Sequence, residues 1–159
     1  MPTRELDAID RRILEQLQRS GRITNTELAE RVGLSPSPCL RRLRQLESEG
    51  VIKSYVAQLN REKVRLGLTS FVSVKLRSHG DAEAASFRNA AQAMPEVTAC
   101  YITSGEHDFL LQVVTTDLPA YRHFVMNKLI KLPEVKDVRS SVVIETVKED
   151  APLPLKHIG

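Results

Sequence analysis

Apolar residues in the first fifty positions recur every three or four residues, which is the period of amphipathic helices. The first helical run has an apolar face made of Leu6, Ile9, Ile13, Leu14 and Leu17. A second helix is predicted to begin with a capping box at residues 24–27, and a third runs from a cap at Ser35 to Gly50. Three short helices, the last two joined by a tight turn at Gly33, predict a helix-turn-helix domain.

The third helix is strongly basic. Four arginines and no acidic residue occur between Glu30 and Glu47, and three of them lie in the third helix. On a helical wheel Leu40, Leu43 and Leu46 gather on one side, Arg41 and Gln45 point almost directly away from them, and Arg42 and Arg44 flank this outer side. Arginine makes bidentate contacts with guanine or phosphate, and glutamine can pair with the adenine edge. The face therefore predicts contact with double-stranded DNA through Ser35, Ser37, Pro38, Arg41, Arg42, Arg44 and Gln45. A solvated basic surface is the alternative that the helix by itself leaves open.

From residue 70 onward, segments with the two-residue alternation of strands are interleaved with segments of helical periodicity. Strands are predicted at 71–76, 97–103, 109–115 and 135–147, and helices at 81–93 and 118–132. The order β, α, β, β, α, β is that of a ferredoxin-like domain. The expected fold class is thus α+β. A winged-helix-like helix-turn-helix domain spans 1–60, with its reading unit at 25–44, and is followed by a linker at 61–69 and a ferredoxin-like domain at 70–159.

The composition of the chain limits which classes of function are compatible with it. The 159 residues carry a net charge of only +3, which favours a localised nucleic-acid site over bulk polyelectrolyte binding. No apolar run is long enough for a bilayer and no signal-peptide core follows Met1, so a cytoplasmic protein without a membrane partner is expected. Cys39 and Cys100 are expected to be packing residues. The histidines lack metal-ligand spacing, so neither metal nor cofactor is expected at His79, His107, His123 or His157.

Four motifs, in the same order along the chain, resemble those of the leucine-responsive regulatory protein (Lrp/AsnC) family of bacterial transcription regulators. They are Leu6-Asp-Ala-Ile-Asp10, Gly21-Arg-Ile-Thr-Asn25, Gly33-Leu-Ser-Pro-Ser-Pro-Cys39 and Ser104-Gly-Glu-His-Asp-Phe109. The resemblance extends from about Leu6 to Val147. It implies that the helix-turn-helix binds DNA, while the ferredoxin-like domain oligomerises and binds an amino-acid effector. It also implies homodimers that pair through their strands and assemble into octamers or similar discs, with the effector at contacts between dimers.

The family's ligand loop corresponds to residues 105–108. A glycine lets backbone N–H groups approach a carboxylate, and an aspartate can hold an ammonium group. An ordinary hairpin turn capped by Asp108 is the alternative. Ser141 departs from the larger aromatic residue of leucine-type members. The ligand contacts that the resemblance implies are Ile102, Ser104, Gly105, Asp108, Leu118, Ser140, Ser141 and Val142.

These observations predict a sequence-specific transcriptional regulator modulated by a small L-amino acid. The ending Val143–Lys148, followed by Leu153–Leu155, is similar to a subgroup that includes cysteine-responsive regulators, whereas the Ser-Pro-Ser-Pro-Cys signature is shared with leucine-type members. Cysteine or a branched-chain amino acid is therefore the expected effector. Two alternatives are an architectural DNA-wrapping protein without an effector and a small ligand-metabolising enzyme. The second is disfavoured because no catalytic constellation is present.

Overall fold

The chain divides into two units. The computed structural model describes residues 4–78 and 80–159; residues 1–3 and His79, which was expected not to bind metal, lie outside the described residues. The N-terminal unit contains the chain up to Gln58 together with Lys148–Gly159. The central unit is Leu59–Val147. In the described ranges no helix is both long and apolar enough to cross a membrane.

Three helices build the N-terminal unit: α1 (Ala8–Arg19), α2 (Asn25–Val32) and α3 (Pro36–Ser48). The predicted capping box begins α2, because the Thr24 hydroxyl accepts the Glu27 N–H and the Glu27 carboxylate accepts the Thr24 N–H, at 3.3 and 3.1 Å. Gly33 then ends α2 with φ 75°, a left-handed conformation that suits glycine. The predicted helix-turn-helix is confirmed.

The core of this unit includes both ends of the chain. Its fully or nearly buried side chains come from all three helices, and Ile158 from the C-terminal end joins them: Ile13, Leu14, Leu28, Ala29, Val32, Cys39, Leu46 and Ile158. Leu155 is partly buried against the same cluster. The last twelve residues were expected to belong to a domain spanning 70–159. They belong to the N-terminal unit instead, because Leu155 and Ile158 pack against its apolar core.

The central unit has the predicted βαββαβ order. Its elements are β1 (Leu68–Leu76), α4 (Asp81–Ala93), β2 (Val97–Ile102), β3 (Phe109–Thr115), α5 (Leu118–Asn127) and β4 (Val135–Val142). The strands lie in the order β2-β3-β1-β4, and every neighbouring pair is antiparallel. In the register, Val72 lies opposite Leu111 on one side and Ser140 on the other. The α+β, ferredoxin-like prediction is confirmed.

Alternation along the strands separates the two faces of this sheet. Val72, Val74 and Leu76 share one face with alternate residues of β3, and α4 and α5 cover that face with Phe87 and Phe124. The opposite face keeps large side chains in solvent, including Phe71 and Tyr101. Cys100 is also exposed, on the edge strand β2, so the expected packing role applies to Cys39 alone.

Two predicted elements end early. Helix α5 stops at Asn127, and a 3₁₀ turn at Leu129–Lys131 places the Leu129 side chain in the core. Strand β4 was expected to reach residue 147 but ends at Val142, opposite Ser70 of β1. The Val143 N–H donates to the Thr69 carbonyl at 2.9 Å, and the chain beyond it leaves the sheet.

Candidate nucleic-acid interface and ligand loop

One side of α3 is fully exposed and bears two arginines. Ser37, Arg41 and Arg44 are spaced at i, i+4 and i+7, so they form a stripe along the helix. Cys39 and Leu46, on the opposite side, are completely buried. Among the described residues, Arg41 and Arg44 make no ion pair. Their guanidinium groups are therefore available to an external anion or base edge.

The buried side of α3 differs from the expected leucine face. Cys39 is completely buried, whereas Leu40 and Leu43 are only partly buried. The core therefore centres closer to Cys39 and Leu46 than to the midpoint of the leucines. This rotation of the helix turns Arg44 outward and brings Arg42 to the flank.

Arg42 is committed to the protein interior. Its Nη1 donates to Asp7 Oδ2 at 2.8 Å and to Asp10 Oδ1 at 2.9 Å. Asp10 is completely buried and also accepts a 2.7 Å bond from Arg4 Nη2. The hydrogen bond to Asp7, followed by that to Asp10, raises the pKa of Arg42. The Asp10 N–H, and then Arg42, lower the pKa of Asp7. Arg42, which was predicted to contact DNA, thus fastens α3 to the start of α1.

The remaining predicted DNA contacts are differently placed. Ser35 is exposed at the start of α3, but its side chain makes no capping hydrogen bond. A cap of this kind bonds the second or third helical N–H, and Pro38 at the third position has none. Pro38 itself is half-buried. Gln45 Nε2 donates to Glu49 Oε1 at 2.8 Å, so Gln45 must exchange that bond to contact a base.

Sequence reasoning assigned no role to three polar residues that set the geometry of this surface. Asp7 and Asp10 hold Arg42, and Asn25 Nδ2 donates to the Pro36 carbonyl at 2.9 Å, which joins the first turns of α2 and α3. The available signal for the aspartates was their spacing at the start of a helical run, because Asp7 and Asp10 also form the capping box of α1.

The predicted ligand loop is the connection between β2 and β3, and Asp108 has a structural task there. Its Oδ2 accepts the Leu76 N–H at 2.7 Å, and its own N–H donates to the Val74 carbonyl at 3.0 Å. Backbone pairing between β1 and β3 ends at Val74 and Phe109. The carboxylate therefore continues the ladder past its last backbone pair.

The tip of this loop is exposed and has a backbone conformation that requires glycine. Ser104 and Gly105 are exposed, and Gly105 has φ 126°, which only glycine adopts at low cost. A Cβ at Gly105 would meet nothing within 4 Å, so backbone conformation and not space selects glycine. Ile102, at the end of β2, is also exposed. An ion pair of 3.0 Å between Glu106 and Arg139 fastens the loop tip to β4.

One protomer does not gather all eight predicted ligand residues. Asp108 precedes β3 and Leu118 follows it, so the seven-residue strand separates them by about 20 Å. On β4, Ser140 accepts a short hydrogen bond from the Tyr121 hydroxyl on the helix-covered face. Ser141 points to the opposite face, because neighbouring residues of a strand alternate. Val142, on the same face as Ser140, is half-exposed.

Two family models cover most of the chain. The model described as winged helix-turn-helix DNA-binding matches residues 6–53, and the Lrp/AsnC ligand binding domain matches residues 69–153. The chain is 43% identical over 155 residues to the leucine-responsive regulatory protein of Escherichia coli K12, covering 98% of this chain and 94% of that protein.

Solved structures agree with this assignment. A transcriptional regulator of Neisseria meningitidis in complex with L-methionine is 45% identical, with a TM-score of 0.92 and coverage of 96% of this chain and 98% of the other. An AsnC family transcriptional regulator from Agrobacterium tumefaciens is 38% identical, with a TM-score of 0.91 and coverage of 96% and 99%. The chain therefore belongs to the Lrp/AsnC family of DNA-binding transcriptional regulators that carry an amino-acid-binding domain.

Proposed function

We propose that the protein regulates transcription from the cytoplasm by binding specific DNA through α3, under the control of a small L-amino acid. The observation that carries the DNA contact is the exposed stripe of Ser37, Arg41 and Arg44, opposite the buried Cys39 and Leu46. Ser35 and Gln45 flank this stripe and extend the proposed contact, whereas Arg42 supports it by holding α3 against the start of α1. The named relatives are regulators, and we propose no enzymatic activity.

Arg41→Ala and Arg44→Ala are each expected to weaken specific DNA binding by about 1–3 kcal/mol, because each removes a guanidinium that can pair with guanine or phosphate. Fluorescence anisotropy at fixed salt, on a natural promoter fragment, measures the effect. Arg88→Ala, an exposed arginine on α4, is the matched control and should leave affinity unchanged. Wild-type affinity in both α3 variants would move the DNA contact elsewhere.

The effector is proposed to be an L-amino acid of small to medium size. Cysteine and branched-chain amino acids follow from the sequence, and the L-methionine in the complex of the Neisseria meningitidis relative adds another sulfur-containing candidate. Gly105 and Asp108 supply the kind of groups that hold a carboxylate and an ammonium. Isothermal titration calorimetry against the L-amino acids, with the D-enantiomers as controls, tests this assignment. Equal heats for both enantiomers would count against a built site.

A second copy of the chain is proposed to complete the effector site. In one protomer the predicted ligand residues lie at both ends of β3, too far apart for one amino acid to span. The sheet face bearing Phe71 and Tyr101 is open, and among the described residues none of the backbone groups at 53–59 takes part in a backbone hydrogen bond. Backbone groups without backbone partners and a sheet face with exposed aromatic side chains both suit pairing with another copy. We propose a homodimer that assembles further, up to an octamer.

Light scattering on the purified chain is expected to give the mass of a dimer or a larger even assembly at micromolar concentration. Paired DNA half-sites also need at least two recognition helices. Phe71→Lys places a charge on the open sheet face and should shift the mass towards the monomer, while Ile144→Lys, at a fully exposed position outside the sheet, should not. A wild-type monomer under these conditions would contradict the assembly.

An architectural DNA-wrapping protein without an effector is the second candidate. The observation that favours it is the hydrogen bond from Leu76 to Asp108, which gives this carboxylate a structural role without any ligand. Calorimetry separates the two candidates. Specific DNA binding combined with no heat for any L-amino acid would favour the architectural role.

A further inference from the structure

The C-terminal segment (Leu153–Gly159) is bound to α1 along its length. Leu153 exchanges two hydrogen bonds with the Gln18 side chain, its N–H donating to Oε1 at 2.6 Å and its carbonyl accepting from Nε2 at 3.3 Å. Arg11 Nη1 donates to the Ile158 carbonyl at 2.8 Å. The Ile158 side chain is 9% exposed within the core of the N-terminal unit. This segment is therefore an integral part of the unit that carries α3.

The far end of the segment reaches the residues that hold α3. Gly159 lies against the backbone of the first turn of α1, where a Cβ would be 3.5 Å from the Leu6 carbonyl oxygen and 3.6 Å from the Asp7 Cα. Asp7 is the residue whose carboxylate binds Arg42 of α3 at 2.8 Å. A continuous series of contacts thus leads from the chain end through the start of α1 to the exposed arginine stripe.

The segment also forms a second covalent route between the two units. The chain leaves the N-terminal unit at Gln58 and re-enters it at Lys148. Only ten residues separate the end of β4, at Val142, from Leu153. Strand β4 carries three of the proposed ligand residues. The segment is therefore joined to β4 by a connection separate from the one that follows Gln58.

We propose that the C-terminal segment is a positioning element for DNA recognition: Ile158 and its hydrogen-bonded backbone fix the start of α1, which fixes α3 through Asp7 and Arg42. Through the same segment, a conformational change in the central unit alters the position of α3. The first statement concerns DNA affinity alone. The second rests on the proposed amino-acid response.

The first statement is tested without any amino acid, by anisotropy on a specific and a scrambled DNA fragment. Ile158→Ser should lower specific affinity about tenfold and leave scrambled DNA within about threefold, because the arginines remain while their position relaxes. Leu153→Ser is the matched control, since that side chain is 70% exposed, and Ile158→Val should restore binding. Specific affinity within about twofold of wild type for Ile158→Ser would overturn the proposal.

A second variant keeps the test valid if Ile158→Ser fails to fold. Gln18 is exposed, and its side chain donates to and accepts from Leu153 within the segment. Gln18→Ala should loosen the segment without disturbing the core and lower specific affinity about threefold. Gln16→Ala, on the same helix, removes a 3.3 Å hydrogen bond from Arg31 and leaves the segment untouched, so it is the matched control and should have no such effect. Equal affinities for both variants and the wild type would overturn the proposal.

The second statement is tested with L-methionine, L-leucine and L-cysteine as probes. Gln18→Ala should bind whichever probe the wild type binds with the same affinity in calorimetry, yet show at least a threefold smaller change in DNA affinity when that probe is added. An unchanged response would overturn the transmission through the segment. If the wild type binds none of the three probes, the proposed effector fails, while the DNA measurements above still decide the positioning role.

Discussion

Asp10→Ala is expected to lower the free energy of unfolding of the N-terminal unit by about 2–4 kcal/mol. Asp10 is completely buried and accepts hydrogen bonds from Arg4, Arg42 and the Asp7 N–H. Its removal leaves the Arg42 guanidinium, which is 24% exposed, with one partner instead of two. Breaking one side of a buried ion pair costs more than the pair itself contributes, because the remaining charge stays partly desolvated.

Denaturant unfolding followed by circular dichroism measures this loss, and the central unit supplies an internal reference. Asp10→Asn keeps the shape and can still accept the Asp7 N–H, so it should lose less stability than Asp10→Ala. Arg42→Ala should also destabilise the unit, whereas the neighbouring Arg41→Ala should not, since Arg41 is exposed and makes no ion pair within the described chain. Equal stability of Arg41→Ala and Arg42→Ala would refute the anchoring role of Arg42.

The contrast between these two arginines shows where sequence reasoning reaches its limit. Helical period, the capping box and the glycine turn are local signals, and they predicted the helix-turn-helix correctly. The partners of Arg42 lie 35 and 32 residues away in the chain, and no local pattern pairs them. The helical wheel placed Arg42 and Arg44 alike beside the outward face, whereas in the structure Arg44 is exposed and Arg42 is bound to Asp7 and Asp10.

The same contrast holds in the central unit, where local patterns predicted the elements and contacts between distant residues could not be predicted. Alternation within each strand was enough to predict the ferredoxin-like order, because each face of the sheet meets a different environment. The ends of the elements were not predictable in the same way, because the end of β4 at Val142 depends on where its pairing with β1 stops. The last twelve residues have no period of their own, and contacts with helices at the other end of the chain, including the packing of Ile158 and Leu155, determine where they belong.

The sequence predicted which residues form the proposed ligand site, but it could not predict where these residues lie relative to one another. Asp108 and Leu118 bracket β3, and Ser140 and Ser141 point to opposite faces of one strand. These placements follow from register and pairing, which a sequence read residue by residue does not contain. They are also the reason that a second copy enters the proposal for the effector site.

Asp108→Asn is expected to weaken effector binding at least about tenfold while leaving the fold intact. The asparagine side chain can still accept the Leu76 N–H that Asp108 Oδ2 accepts at 2.7 Å, so the ladder between β1 and β3 is preserved. What it loses is the negative charge, and a hydrogen bond to a charged group is worth about 1.5–3 kcal/mol. Asp108→Ala loses both functions and should in addition destabilise the central unit by about 1–3 kcal/mol, because the Leu76 N–H is left without that acceptor.

Comparison of the two variants separates a ligand residue from a turn cap. Calorimetry with the amino acid that binds the wild type gives the effector affinity, thermal unfolding gives stability, and anisotropy without effector should give wild-type DNA affinity for both. If Asp108 binds the ammonium group, Asp108→Asn and Asp108→Ala lose the effector alike and differ in stability. If Asp108 only continues the ladder, Asp108→Asn matches the wild type in every measurement. That outcome would remove the loop from the proposed effector site, since Gly105 alone offers no group that can neutralise an ammonium.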